Sequence, residues 1–205
     1  MATPKERNRP ADGRPAARAT ARPTTTAPPT TAVAAARRGI MARQAAALGY
    51  VWATARLALG WIFAWAFIDK LFGLGLATAP GRAWIQGGSP TSGFLKGTAD
   101  RAFGDLFTRL AGQVWADWLF MAGLAGVGIA LLLGVGMRIA AACGGLLLML
   151  MWAAELPLAG NPFIDEHIVY AIVLVGLALA GAADTLGLGR WWSATPLVRR
   201  YPILK

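Results

Sequence analysis

Charge is the scarcest property of this sequence. Of 205 residues, 15% are Asp, Glu, Lys or Arg and 56% are hydrophobic, whereas an ordinary soluble domain carries roughly 25% charged residues. Cysteine and histidine occur once each, as Cys143 and His167. A lone cysteine in an apolar run excludes a disulfide framework and a CxxC redox pair, and reads as a small buried residue. One imidazole falls short of what transition-metal, di-iron and haem sites in helical bundles usually use, so no metal is expected. No P-loop, GxSxG or zinc motif is present, and "LGLGRWW" (186–192) reads as the termination of a helix.

Acidic residues are also scarce, 10 against 20 Lys and Arg, and the resulting formal charge of +10 is unevenly spread. Lys5, Arg7, Arg9, Arg14, Arg18, Arg22, Arg37, Arg38 and Arg43 face only Glu6 and Asp12, while Arg190, Arg199, Arg200 and Lys205 face no acid. The stretch between is nearly neutral. Basic residues confined to tails beside apolar segments suit an anionic inner leaflet, and argue against a nucleic-acid-binding face. Residues 1–43 are rich in Pro, Ala, Thr and Arg, and are expected to form a disordered cytoplasmic tail. No short apolar core with a cleavage site lies near Met1, so no secretory signal is expected.

What is present in quantity is long apolar runs. Residues 50–76, 115–135, 138–156 and 166–188 each offer enough apolar length for a hydrocarbon core of about 30 Å at about 1.5 Å per residue, and helix is the form that satisfies its own backbone in lipid. The expected fold is all-α: a polytopic four-transmembrane-helix bundle, 44–192, followed by a short basic tail, 193–205. "GVGM" between the second and third spans forces a hairpin, and Asn161 or Asp165 is placed to cap the fourth. Ala122, Gly126 and Ala130 form a small-xxx-small ladder suited to close helix packing, with Gly144 and Gly145 on the next span. Trp52, Trp115, Trp118, Trp152, Trp191 and Trp192 fall near span ends, as lipid anchors do. The basic tails place both termini in the cytoplasm of a cell-membrane protein, despite Arg82, Lys96, Arg101 and Arg109 in the long outer loop at about 77–114. In that loop Phe103, Leu106, Phe107 and Leu110 share one face of an expected interfacial helix over 100–111.

Ionisable residues in apolar spans mark sites by default. Arg56 and Lys70 share a stripe on the first span about 21 Å apart, and Glu166 and Asp184 share one about 27 Å long on the fourth. Antiparallel neighbours would then pair Arg56 with Asp184 as a structural clasp, and Lys70 with Glu166 or Glu155 at the outer end. Asp69, Lys70, Glu155, Asp165, Glu166 and His167 converge there. A pocket around Lys70, Glu155 and His167, the candidate catalytic residues, is therefore expected. Trp61 and Trp65 lie below Asp69 and would wall a flat amphiphile such as a quinone, with Asp69, Lys70 and Glu166 at the rim.

"RLALGWIFAWAFIDKLFGLG" (56–75), "WIQGGSPTSGFL" (84–95) and "NPFIDEHIVYAIVLVGLALAGAADTLGLGRWW" (161–192) together resemble the DoxX/DoxD family of small bacterial membrane proteins. The resemblance covers about 50–192 and implies a four-helix bundle. Its DoxD branch implies the membrane subunit of a thiosulfate:quinone oxidoreductase, passing electrons from thiosulfate to quinone; other relatives are linked to thiol-redox and oxidative-stress complexes. With one cysteine, a redox role needs a diffusible quinone or a partner subunit, soluble or membrane-bound. A non-catalytic scaffold recruiting a soluble partner, a small transporter and a homo-oligomer are the other readings that the sequence leaves open.

Overall fold

The computed structural model describes residues 30–205, with side chains from residue 31. Residues 1–29, most of the expected disordered tail, lie outside the described residues. Met41–Lys205 forms one compact unit, which carries the core and the site described below. Among the described residues all regular structure is helical. Helix α1 runs Thr30–Phe72, so residues 30–43 are helical where the sequence suggested disorder. Alanine dominates this stretch and is the strongest helix former.

Beyond α1, α2 (Ser92–Lys96) and α3 (Gly104–Leu110) lie in the long loop, α4 (Val114–Leu133) and α5 (Met137–Ala154) form the expected hairpin, and α6 (Glu166–Leu179) follows. Short helices α7 (Gly189–Ala194) and α8 (Pro196–Arg200) close the chain. Among the described residues three helices, α1, α4 and α5, are long and apolar enough to cross a membrane. The fourth expected span is shorter than its apolar run: α6 has 14 residues, about 21 Å at 1.5 Å per residue. Its end is set by Gly181, which takes a left-handed φ of 63° that favours glycine. The chain then continues as a 3₁₀ turn, Ala182–Asp184.

The core is a mixed layer of α1, α4, α5 and α6 side chains, with Met121, Leu131, Leu174 and Leu177 fully buried. Glycine sets how closely the helices approach. A Cβ on Gly128 would lie 2.8 Å from the Ala64 backbone nitrogen, and one on Gly144 would lie 2.9 Å from Leu174. The expected ladder is placed differently. Nothing lies within 4 Å of a Cβ on Gly126, and Ala122, Gly126 and Ala130 all line an open groove.

Arg56 is fully buried, and its partners differ from those expected. Asp184 is exposed, and the Arg56–Asp184 ion pair does not form. The guanidinium instead donates only to backbone carbonyls. Nη1 donates to Leu131 and, at 3.1 Å, to Leu132; Nε donates to Ala182 at 3.2 Å; Nη2 donates to Leu186 at 2.7 Å and Thr185 at 3.4 Å. The reason is the break after α6. Helix ends leave carbonyls without intrahelical donors, and a buried unpaired carbonyl costs about 1–3 kcal/mol. At the end of α4 every such carbonyl is satisfied. Ala130 accepts from the Gly134 amide, Leu131 and Leu132 from Arg56, and Leu133 from the Leu188 amide.

Arg56→Leu should therefore lower stability by at least about 3 kcal/mol, whereas Asp184→Asn should stay within about 0.5 kcal/mol of the parent. Thermal unfolding in mild detergent distinguishes these outcomes from an Arg56–Asp184 pair, which would make both variants costly. By the same measurement Gly128→Ala should cost about 1–3 kcal/mol by pressing on the α1 backbone. Gly126→Ala should be neutral or slightly stabilising, since it meets open space and gains helix propensity.

Candidate functional site

An open groove of about 840 Å³ runs along the α4–α5 hairpin, from Trp115 and Ala154 at one end to Val135 and Gly136 at the other. The space is open because both helices present small residues there, Gly123 and Gly126 from α4 and Ala140 and Cys143 from α5, and its walls are apolar through side chains such as Leu119, Ile139 and Leu146. Cys143 is exposed to this space, not buried as its apolar context suggested. Phe94, Phe107, Trp115 and Phe120 supply the aromatic surface, and Lys70 is the one charged residue of the lining.

The mouth at the Lys70 end is built by the long loop. Leu95 of α2 and Phe107 of α3 pack on Ala154 at the end of α5, with Phe94 and Leu110 beside them. This replaces the interfacial helix expected over 100–111. Phe107 is buried, whereas Phe103 and Leu106 remain exposed, and the helical part is shorter. Two backbone ties fasten this loop to the α5–α6 connection: the Ala102 amide donates to Leu156 at 2.8 Å, and Arg101 Nη1 donates to Pro157 at 2.7 Å.

Asp117, a residue the sequence reading passed over, holds the near side. It is buried in the first turn of α4, and its Oδ1 accepts from Ser89 Oγ at 2.9 Å, Thr91 Oγ1 at 2.6 Å and the Thr91 amide at 3.1 Å. Those bonds pin "GGSPT" across the top of α4 and place Thr91 and Pro90 in the groove lining. An acid opening a span, with Ser and Thr in a preceding glycine-rich loop, was the available signal. An acid in a first helical turn is ordinarily read as a dipole partner.

The residues expected to converge do so in part. Glu155 caps the end of α5, Asp165 caps the start of α6, and His167 sits in the first turn of α6; one ligand atom from each lies within 4.8 Å of the others. Lys70 is half-buried and pairs with neither Glu155 nor Glu166, and Glu166 is exposed. Lys70 is the α1 residue that reaches the groove, which lies against α4 and α5. Trp61 and Trp65 pack with tilted rings 5.7 Å apart, Trp61 is 54% exposed, and neither lines the groove. The aromatic wall drawn from α1 in the sequence reading is thus made by other residues. Asp69 is 1% exposed, and neither carboxylate oxygen has a hydrogen-bond partner.

Between Asp165 and His167 the electrostatics are defined. His167 Nδ1 lies 2.8 Å from Asp165 Oδ2, and Asp165 Oδ1 accepts from the Ile168 amide at 3.2 Å. Burial pushes the Asp165 carboxyl up, but the bonds from His167 and Ile168 outweigh it and hold the group below its ordinary value of 3.8. A depressed folded value means that this cap stabilises α6 above the ordinary value and is lost as pH falls through the folded one. Protection of the Ile168 amide against hydrogen exchange should persist from neutral pH down to about pH 4 and collapse below it. Asp165→Ala should remove that protection at neutral pH, at a cost of about 1 kcal/mol. Loss of protection already near pH 6 in the unaltered chain would contradict this.

Comparison of the chain with protein-family models, with curated proteins and with solved structures finds no match.

Proposed function

We propose that this chain is a four-span membrane subunit of a redox system, related to the DoxX/DoxD proteins, that holds a quinone in the α4–α5 groove. The observation that carries this reading is the groove itself, an open apolar cleft of about 840 Å³ with Lys70 as its one charged lining residue among the described residues. Ligand sites commonly span about 300–1,000 Å³, mostly apolar with a few polar groups that fix orientation. A flat, weakly polar ring with an apolar tail matches such a lining better than a sugar, nucleotide or metal complex would.

In this reading α6 and residues 180–188 together make the fourth span, with Arg56 satisfying the irregular backbone inside protein. The basic residues of 1–43 and of 190–205 put both termini in the cytoplasm of the cell membrane, and the Lys70 end outside.

When bound, a quinone would accept the two electrons released as two thiosulfate anions, or two thiolates, join through a sulfur–sulfur bond, and would take its two protons from water. The chain's own residues bind and orient. Lys70 Nζ would be the donor to a ring carbonyl oxygen, and its charge favours the approach of an anionic sulfur donor. Phe94 and Phe107 exclude water from the ring, while Asp117 keeps Thr91 and Pro90 at the mouth. Electron entry from a partner subunit fits the same geometry, because the mouth is built from loop segments.

Vesicles containing the chain should reduce a short-tailed quinone analogue when given thiosulfate or a thiol, and Lys70→Ala should slow this by at least about tenfold. Unchanged reduction in Lys70→Ala removes Lys70 from the chemistry. No donor-dependent reduction, together with no quinone extracted from the purified chain, removes the redox reading altogether.

A further inference from the structure

We infer that residues 189–205 form an interfacial platform that binds the headgroups of anionic phospholipids at the Arg56 end of the bundle. Such a platform requires α4 and α5 to cross the membrane and is independent of what occupies the groove. Its depth is fixed by backbone ties. The Leu188 amide donates to Leu133 at 2.8 Å, the Arg138 amide donates to Lys205 at 3.0 Å, and Arg138 Nη1 donates to Pro202 at 3.1 Å. Leu133 ends α4 and Arg138 lies in the first turn of α5, so the segment is fastened to the turn between two apolar helices. With 20 and 18 residues, these helices are about 30 and 27 Å long, close to the hydrocarbon thickness of a bilayer. Their shared end, and α7 and α8 with it, therefore falls where hydrocarbon gives way to headgroups.

The segment is ordered and two-sided. Trp192 Nε1 donates to the Leu204 carbonyl at 2.6 Å, which ties α7 to the final 3₁₀ turn, Pro202–Leu204. Gly189 and Val198 are buried, and Trp192 and Leu204 are half-buried. Trp191, Leu197, Tyr201 and Ile203 are exposed. A single exposed leucine needs no explanation, but four large apolar side chains on so short a segment do. Two of the four are aromatic residues of the kind that settles at headgroup level.

Charge selects the occupant. Arg190, Arg199, Arg200 and Lys205 are exposed with no acid between Thr185 and Lys205, and exposed Arg138 lies on the adjoining turn; Asp184 offsets one of these five cations. Among the described residues the guanidiniums of Arg190, Arg199 and Arg200 make no hydrogen bond or ion pair. Arg200 instead lies 5.6 Å from the centroid of the Tyr201 ring, a cation beside an aromatic face. Free guanidiniums present planar forks that match phosphate oxygens. Exposed rings among them would enter the acyl boundary just below those phosphates. An acidic soluble protein would satisfy the arginines but leave the apolar side chains unmatched at this depth. A zwitterionic headgroup offers a phosphate whose charge its own ammonium cancels, so a net-negative headgroup is the better partner.

The test reconstitutes the full chain in phosphatidylcholine vesicles and compares the association of spin-labelled phosphatidylglycerol with that of spin-labelled phosphatidylcholine by electron paramagnetic resonance. Phosphatidylglycerol should be favoured at least about threefold at low salt. Most of that preference should vanish at about 1 M salt, where charges are screened within about 3 Å. The triple variant Arg190→Gln, Arg199→Gln, Arg200→Gln changes exposed side chains only, and should lose at least about half of the preference. Hydrogen exchange of amides 190–201 gives a second reading, and should be slower in vesicles containing phosphatidylglycerol than in phosphatidylcholine alone. Equal association of the two lipids with the unaltered chain overturns the platform, and is the result expected of a face kept for a second copy or an acidic protein. Undiminished preference in the triple variant, or exchange over 190–201 that ignores lipid charge, overturns it too. Because the readout is lipid association, any of these failures leaves the quinone reading standing.

Discussion

Arg56 reconciles two demands that an apolar environment places on this chain. A helix that ends early strands carbonyl groups where no water reaches them, and a buried guanidinium strands donors. Here each satisfies the other. Leu131 and Leu132 at the end of α4, and Ala182, Thr185 and Leu186 beyond α6, all accept from this one side chain. Gly134 and Gly187 leave it room: a Cβ on either would fall 3.0–3.3 Å from the guanidinium nitrogens. The planar fork of arginine, with five donors, can reach carbonyls on two segments at once, which the single ammonium of lysine cannot. With α1, α4 and the post-α6 chain tied at this end, the opposite end is where loops and unsatisfied polar groups accumulate.

That opposite end has a division of labour. Asp117 and Arg101 spend their hydrogen-bonding capacity on loop backbone and loop hydroxyls, fixing α2 and α3 over the hairpin. Lys70 is left on the groove, and Glu155 with His167 is left at the α5–α6 connection. The groove stays open because the glycines and alanines of α4 that could have brought a helix close face this space, while Gly128, on another side of the same helix, takes the contact with α1.

Much of the fold was legible in the sequence, because long apolar runs are a local signal and lipid permits few ways to satisfy their backbones. The hairpin followed from spacing alone, as did a cap from Asn161 or Asp165, of which Asp165 is the one formed, and a crowding of polar groups of which Glu155, Asp165 and His167 come together. What spacing could not convey was the identity of hydrogen-bond partners. The helical stripe put Arg56 opposite the segment containing Asp184, but whether it met a carboxylate or carbonyls depended on where α6 stopped. Gly181 lies in "LALAGAAD", where a glycine is as compatible with a continuing membrane helix as with a break. Likewise "GVGIA" offers two glycines on different faces of α4, and only the assembled helices reveal which one is buried. Asp117 was hidden by its ordinary position in a first turn, and Trp61 by an apolar ring that suits lipid as well as a pocket.

The central claim is that the α4–α5 groove is a ligand site with its polar end at Lys70. The most direct measurement is labelling of the full chain in vesicles with a photoreactive short-tailed quinone, followed by peptide mapping. Crosslinks should concentrate on residues 119–130 of α4 and 139–151 of α5 and fall when unlabelled quinone competes. Crosslinks spread evenly over lipid-facing residues of α1 and α6, and indifferent to competitor, would contradict it.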